Sequence, residues 1–385
     1  MRRLCKLWML ILLLLSMMTG CTQNRREPDR LAFDMGEGLD LTDDGKLEVS
    51  FQIAIPAGLS GGQDSGGGGT DKSFELTSAT GINVSDAMRN MQKKLSRELF
   101  PGHREVVVIG QPLAEKGIGH LLDQFVRNPR SELRSKLFVV KDAQAKKILS
   151  KKSVFEPYMS IALKRQEDVL SLHYMYFRDF MADTFTEGVH PSAPAIALTA
   201  DSKPYYYGIA VFNKTNGLKL AGFLDDQESV YTNWMTGRQS SFDYSLNIAG
   251  KEHDNISLYF TNLEYRVHTR IVNKQIKVDL YLTGSGTVAE NNTNLNPAMR
   301  KELRLLENII NSKIQKEVQQ LIKKVQQQYH SDIFRFGEAL HYQHPRQWHK
   351  FKGRWDNYFS ELQVSVKVKM KCKTPGQVTA PVELK

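Results

Sequence analysis

Residues 302–329 read ELRLLENIINSKIQKEVQQLIKKVQQQY, and residues 362–371 read LQVSVKVKMK. In the first stretch Leu303, Leu306, Ile310, Ile314, Val318, Leu321 and Val325 recur at steps of three and four. That spacing stacks them into one apolar seam along an α-helix. With Pro297 at its opening, the pattern predicts a helix to Tyr329, on the order of 50 Å long. In the second stretch Leu362, Val364, Val366, Val368 and Met370 alternate with Gln363, Ser365, Lys367, Lys369 and Lys371. A period of two predicts a strand with one buried face, its lysines lying on a solvated face or a guarded edge. Two more alternating runs lie upstream: Leu263 to Ile271, and Ile276 to Leu282. A long amphipathic helix needs a surface to cover, and these strands supply it. The expected fold class is α+β (mixed α/β) in three domains, the last with a long helix packed on an antiparallel sheet.

Working outward, the C-terminal α+β domain spans 246–372, followed by a tail at 373–385. The middle domain, 151–245, reads as mostly helical from Glu156 to Phe185. There Tyr158, Tyr174, Tyr176, Phe177, Phe180 and Phe185 are expected to be core. A strand pair follows, Ile209–Phe212 and Leu218–Phe223 around the Asn213–Gly217 turn, and then a helix capped by Asp225 and running to Met235,. The N-terminal α/β domain, 31–150, alternates strands and helices. Its strands are Leu47–Ile55, Glu105–Ile109 and Lys136–Val140. Its helices are Val84–Phe100 with Ser85 or Asp86 as cap, Pro112–Arg127, and Asp142–Leu149,. Gly58 to Thr70 holds seven glycines. Such a stretch cannot offset its own ordering entropy, and it reads as a flexible loop. Gly36-Glu37-Gly38 lacks the third glycine of a dinucleotide fingerprint and is expected to be a turn,.

The first thirty residues are of another kind. Arg2, Arg3 and Lys6 precede an apolar run from Leu7 to Met18, which ends in Met18-Thr19-Gly20-Cys21. A run of 12 residues is too short for the ~20 that span a bilayer, and it suits a signal-peptide core. Small residues before a cysteine are what a lipoprotein signal peptidase cuts. Residues 1–20 are therefore the expected leader, Cys21 the lipidation site (S-diacylglyceryl, N-acyl), and 21–30 a lipidated tether to the bilayer. Of the three cysteines, Cys5 goes with the leader, so only Cys372 keeps a free thiol and no internal disulfide is expected,.

Composition narrows the function. Of 385 residues, 41% are hydrophobic and 24% charged, which excludes a chain disordered over most of its length,. The 52 Lys and Arg against 42 Asp and Glu give +10. Losing Arg2, Arg3 and Lys6 leaves 49 cations and a charge of +7, too mild to indicate a nucleic-acid partner,. The sequence shows no nucleophile elbow, HExxH pair, SxxK, P-loop or paired CxxC,. His341, His344 and His349 fall close together, but Pro345 interrupts them and no carboxylate sits among them, so no metal is expected,. Arg346, Lys350, Lys352 and Arg354 interleave with Trp348, Phe351 and Trp355. The expected reading is a loop with its tryptophans in the core and its cations wet.

A set of short motifs, in order along the chain, carries a resemblance. Gly20-Cys21 is followed by Arg26-Glu27 and Leu31-Ala32. Then come Gly36-Glu37-Gly38-Leu39-Asp40, with Glu37 where isoleucine is usual, and Gly102-His103 before the strand at Val106. Leu113-Ala114, Gly117-Ile118, Leu122-Asp123, Arg127, Arg130 and Arg134 continue the set. Next are Gly208, Ala210, Phe212, Leu220-Ala221-Gly222, Leu224 and Trp234. Last are Asp332-Ile333-Phe334-Arg335-Phe336-Gly337, Pro345, Trp348, Trp355 and Phe359. The chain resembles the Ger(x)C (GerAC-like) spore germination lipoproteins, the C subunits of nutrient germinant receptors. The resemblance implies three α/β-type domains, no enzymatic activity, no cofactor, and a structural or interface role for His103. It also implies membrane-embedded A-type and B-type receptor subunits as partners, and a place on the outer face of the spore inner membrane. Two other functions stay open: a solute-binding lipoprotein of a transport system, which predicts two similar lobes, and a wall hydrolase, which needs a nucleophile or a carboxylate pair in a cleft.

Overall fold

The computed structural model describes Trp8 and residues 27–55, 73–128, 131–170, 175–248, 254–273 and 275–374. Cys21 and the glycine-rich stretch 58–70 lie outside the described residues. The chain runs β1 (Leu31–Leu41), β2 (Leu47–Ala54), β3 (Phe74–Gly81), α1 (Val84–Gln92), β4 (Glu98–Phe100), β5 (Val106–Gly110), α2 (Gln111–Lys116), α3 (Leu122–Arg127) and β6 (Lys136–Val140). It continues through α4 (Ala145–Leu149), α5 (Met159–Val169), α6 (Phe177–Phe185), β7 (Ser192–Leu198), β8 (Pro204–Asn213) and β9 (Lys219–Leu224). These strands form one nine-stranded sheet in the order β3-β2-β1-β5-β6-β7-β8-β9, with β4 beside β1.

Strands β1, β5, β6 and β7 are parallel, and the outer pairs are antiparallel hairpins. The parallel centre is covered on both faces, which is why Val106–Ile109 and Leu137–Val140 are continuous apolar runs. Leu113, Phe125, Phe177 and Phe180 pack on one face; Ile148, Leu149, Met159 and Leu163 pack on the other. The two flanking hairpins turn with the same chemistry. Thr42 Oγ1 accepts from Lys46 N, and Thr199 Oγ1 from Lys203 N, each at 3.0 Å. The line expected at 150/151 falls in the connection between two neighbouring strands of this sheet.

Gly36-Glu37-Gly38 is no turn. It lies inside β1, buried, and the glycines are there for contact with the helices crossing above. A Cβ on Gly36 would lie 3.0 Å from Ser160 of α5 and 3.2 Å from Leu149 of α4; one on Gly38 would lie 3.2 Å from Leu149. Two other expectations shorten. The helix begun at Val84 ends at Gln92, because residues 98–100 pair with β1, and its cap is Asn83, whose side chain accepts from Asp86 N. The helix over 112–127 breaks at Gly117, whose φ of +108° no helix holds, and restarts as α3.

The second half holds α7 (Asp226–Met235), β10 (Phe242–Asn247), β11 (Asn255–Val272), β12 (Gln275–Asn291), α8 (Arg300–Lys324), α9 (Phe336–Gln343), α10 (Pro345–Phe351), α11 (Trp355–Ser360) and β13 (Gln363–Thr374). Asp225 caps α7 as expected, in a reciprocal box with Glu228,. Sheet order is β10-β11-β12-β13, and the line expected at 245/246 falls within β10. The first three strands are antiparallel, but β13 joins β12 in parallel. Alternation within a strand says nothing about direction. The return through α8 to α11 supplies the crossover that parallel pairing needs. The long helix starts at Arg300 rather than Pro297, because Asn296 holds a turn by accepting from Ala298 N. Its seam, Leu306, Ile310, Ile314, Val318 and Leu321, packs on Val278, Leu280, Val366 and Met370. Each such side chain, fully buried, contributes roughly 1.5–3 kcal/mol.

All three apolar cores draw their buried residues from Ala32 to Cys372, so a chain starting at residue 27 keeps every one of them. The crossing over β1 gives a first test. Gly36→Val should lower stability in urea unfolding by about 1–3 kcal/mol through overpacking. Gly353→Ala, at a position with nothing within 4 Å, should change it by less than about 0.5 kcal/mol.

Candidate functional site

The residues singled out from sequence disperse, except at one place. His341 stacks on Trp348 at 5.5 Å, while His344 Nε2 bonds Thr269 O at 2.9 Å. His103 is exposed and packs edge-on against Phe33 at 5.3 Å. Phe185 and Tyr176 leave the expected aromatic core: Phe185 is exposed, and Tyr176 is half-buried with Lys136 over its ring. Tyr174 lies outside the described residues. Trp348, Phe351 and Trp355 are buried, on α10 and α11 rather than on a loop, and Arg346, Lys350, Lys352 and Arg354 stay exposed.

The place where residues converge is the junction between the two sheets. Asp332 is wholly buried and accepts four N–H groups: Phe334 N at 3.1 Å, Phe336 N at 3.2 Å, Gly337 N at 2.7 Å and Trp355 Nε1 at 3.0 Å. It thereby satisfies the first turn of α9, whose N–H groups have no partner within the helix. Its backbone oxygen accepts from His190 N at 2.8 Å, across the junction. Gly337 meets Gly188, and this contact needs both glycines. A Cβ on Gly337 would lie 2.7 Å from Gly188 Cα, and one on Gly188 (φ +73°) would lie 2.7 Å from the Trp348 ring.

Charges frame this contact. Asp183 of α6 accepts from Arg238 Nη2 at 2.6 Å and from Arg335 Nη1. Arg335 also grips Glu338 bidentately at 2.6 and 2.7 Å, from a backbone at φ +63°. Trp348 Nε1 and Lys352 Nζ both donate to Glu187 at 2.9 Å. His190 Nδ1 accepts from Lys214 N at 3.3 Å, so its Nε2–H donates to Asp356 Oδ1 at 2.9 Å,. Burial pushes the Asp332 carboxyl up to about 6, against the pull of its N–H donors. Burial works against the Asp356 charge too, but His190 and Thr215 hold it below the usual carboxylate range. The Trp348 indole and Lys352 lower Glu187 likewise.

Such an arrangement locks two layers together, because its donors and acceptors are spent on each other. A second built feature sits under β1. Arg104 and Glu37 form a fully buried ion pair, with Arg104 also bonded to Ser131 Oγ at 3.0 Å and lying 5.0 Å from the Phe125 ring centroid. Beside them burial, and then the Glu37 charge, raises Asp34 well above its usual range. Asp40 accepts Ala145 N at 2.8 Å and Lys146 N at 2.9 Å, capping α4 from across the sheet. Sequence reading named Glu37, Asp40, Asp332 and Trp355 as motif members without their partners. The Glu37–Arg104 pairing was missed, since 66 residues lie between them.

The junction sets a second test. Burial raises Asp332 to about 6 in the folded protein, against an ordinary carboxyl value of 3.8. Between these values the native state binds more proton, so this group's contribution to stability falls as pH rises from 4 to 6. Asp332→Asn turns an amide N–H toward donors and should cost about 1–3 kcal/mol at pH 7. Its stability, followed by urea unfolding across pH 4 to 6, should also show a weaker decline than the wild type.

Known proteins align with this layout. Residues 24–198 match the family described as "Spore germination protein N-terminal domain", and residues 207–376 match "Spore germination B3/ GerAC like, C-terminal". The division, residues 199–206, takes in the turn after β7 and the first residues of β8, inside the first sheet. Spore germination protein KC of Bacillus subtilis (strain 168) is 26% identical over 99% of this chain and 98% of its own length. Spore germination protein B3 of the same organism is 22% identical over 92% and 93%. The crystal structure of the GerBC protein shares the fold, with a TM-score of 0.57 and 20% identity over 89% of this chain and 98% of that one. Matched through both halves and across the junction that joins them, the chain belongs to the GerAC-like family of spore germination proteins.

Proposed function

We propose that this protein is a non-catalytic, lipid-anchored subunit of a spore nutrient germinant receptor complex, needed for the germination response to nutrients. The observation that carries the reading is the match of both family halves within one chain, together with a full-length germination relative. Cys21 is the proposed anchor, bearing an S-diacylglyceryl group and an N-acyl chain. Two or more acyl chains hold a protein stably at a bilayer. The body then sits on the outer face of the spore inner membrane beside membrane-embedded A-type and B-type receptor subunits. Anchoring raises its effective concentration near them without any new contact. Among the described residues no helix is long and apolar enough to cross a membrane, so attachment falls to the N-terminus in this reading.

The solute-binding alternative predicts two similar lobes. The two sheets differ in strand number, order and direction, which favours the receptor reading. The test is affinity purification of tagged protein from detergent-solubilised dormant-spore membranes, wild type beside Cys21→Ala. Two polytopic proteins should co-purify with the wild type and fade with Cys21→Ala, while thermal unfolding of the soluble body stays unchanged. Recovery with a transport ATPase instead would overturn the reading.

A further inference from the structure

The outward face of the second sheet carries charge that folding does not require. Strand register places Arg266 opposite Tyr281, Arg270 opposite Lys277, and Tyr281, Thr283 and Ser285 opposite Lys367, Lys369 and Lys371. Their chain neighbours Val278, Leu280, Val366 and Met370 point the other way, into the core under α8. Arg266, Arg270, Lys277, Lys367, Lys369 and Lys371 therefore share one solvent face. The acids among them are Glu264 and Asp279, and Asp279 is bound to Arg270. Toward β10 the same face turns mixed, with Asp243 and Glu290.

Lysines on β13 alone would be explained by its place at the sheet edge, where cations discourage pairing with other chains. That explanation does not reach Lys277. Lys277 sits on β12, paired with Arg270 of β11 on one side and Gln363 of β13 on the other, while Arg266 and Arg270 lie on the stretch of β11 beyond its pairing with β10, where Gln343 and His344 bond its free edge. Arg270 and Lys277 are direct cross-strand neighbours, a like-charge pairing that destabilises a sheet. Asp279 offsets this for Arg270, and an external anion would do so for Lys277. The registered cations run from the Lys277–Gln363 pair to the Ser285–Lys371 pair, about 27 Å along the strands at ~3.4 Å per residue. Between them lie threonines, serines and Tyr281, whose ring is 5.2 Å from Lys367 Nζ. A protein partner would call for an apolar centre in this face. A broad, open, cationic surface with a tyrosine instead matches a planar array of phosphates, to which each cation adds attraction.

We propose that this face docks on an anionic phospholipid bilayer, a contact independent of lipidation at Cys21. The test uses the chain from residue 27 onward, which keeps every core residue but lacks the leader and Cys21. Sedimentation is measured with phosphatidylcholine vesicles, with and without phosphatidylglycerol. Binding should require phosphatidylglycerol and vanish in high salt, which screens exposed charges beyond a few ångströms. Lys367→Glu, Lys369→Glu and Lys371→Glu together should weaken it about tenfold or more. Lys93→Glu, Lys147→Glu and Lys219→Glu, an equal change of charge elsewhere on the surface, should weaken it much less. If the sheet variant fails to fold, the triple Lys→Gln variant replaces it, with a smaller loss expected in the same direction. No binding to phosphatidylglycerol vesicles, or equal losses in both triple variants, would overturn the proposal. Because Cys21 is absent throughout, neither result bears on the anchor or on receptor assembly.

Discussion

The buried carboxylate of Asp332 is the constraint on which the joining of the two halves depends. A carboxylate with no solvent around it is tolerated only where N–H groups replace the water. Here four do so, and each belongs to a group that must be placed: the turn after Asp332, the first turn of α9, and the Trp355 indole. Once α9 and Trp355 are placed, Trp348 is held against Gly188, and the Asp332 carbonyl is presented to His190. The surrounding ion pairs, Asp183 with Arg335 and Arg238, and Glu187 with Lys352, lie at the edge of this contact. Partly exposed pairs of that kind orient more than they stabilise.

The first sheet shows the same economy at β1. Its two glycines let α4 and α5 lie close over the strand, and Asp40, two residues beyond Gly38, caps the helix so admitted. Glu37, between the glycines, points into the protein and is matched by Arg104. A lone buried charge there would be costly, so Glu37 is paired with a cation from the segment that leads into β5.

One of these polar centres ties the two sheets to each other, and the other ties β1 to the segment before β5. A body tied together in this way suits a subunit whose task is contact with neighbours, as proposed above. In that arrangement the proposed lipid tether would limit distance from the membrane, and the cationic sheet face would limit orientation.

Local periodicity alone determined much of the architecture: the long helix and its seam, the alternating strands of the second sheet, the strand Lys136–Val140 and the Asp225 cap. Each depends on neighbours in the chain and stands at its expected place, although β11 begins eight residues earlier and β12 ends nine residues later than its alternating run. The reading of the leader and the Cys21 motif also rests on local composition, and Cys21 lies outside the described residues. Tertiary structure decided what local pattern cannot hold. Glycines at 36 and 38 look like a turn until helices from residues 145–169 are laid over them. The direction of β13 depends on the route of the seventy residues before it. The partners of Asp332 and Glu37 come from other elements: Arg104 lies 67 positions from Glu37, and His190 lies 142 from Asp332. Periodicity reports which face of an element is buried. Only the assembled fold reports what lies against that face, and there the polar junction and the cationic sheet surface arise.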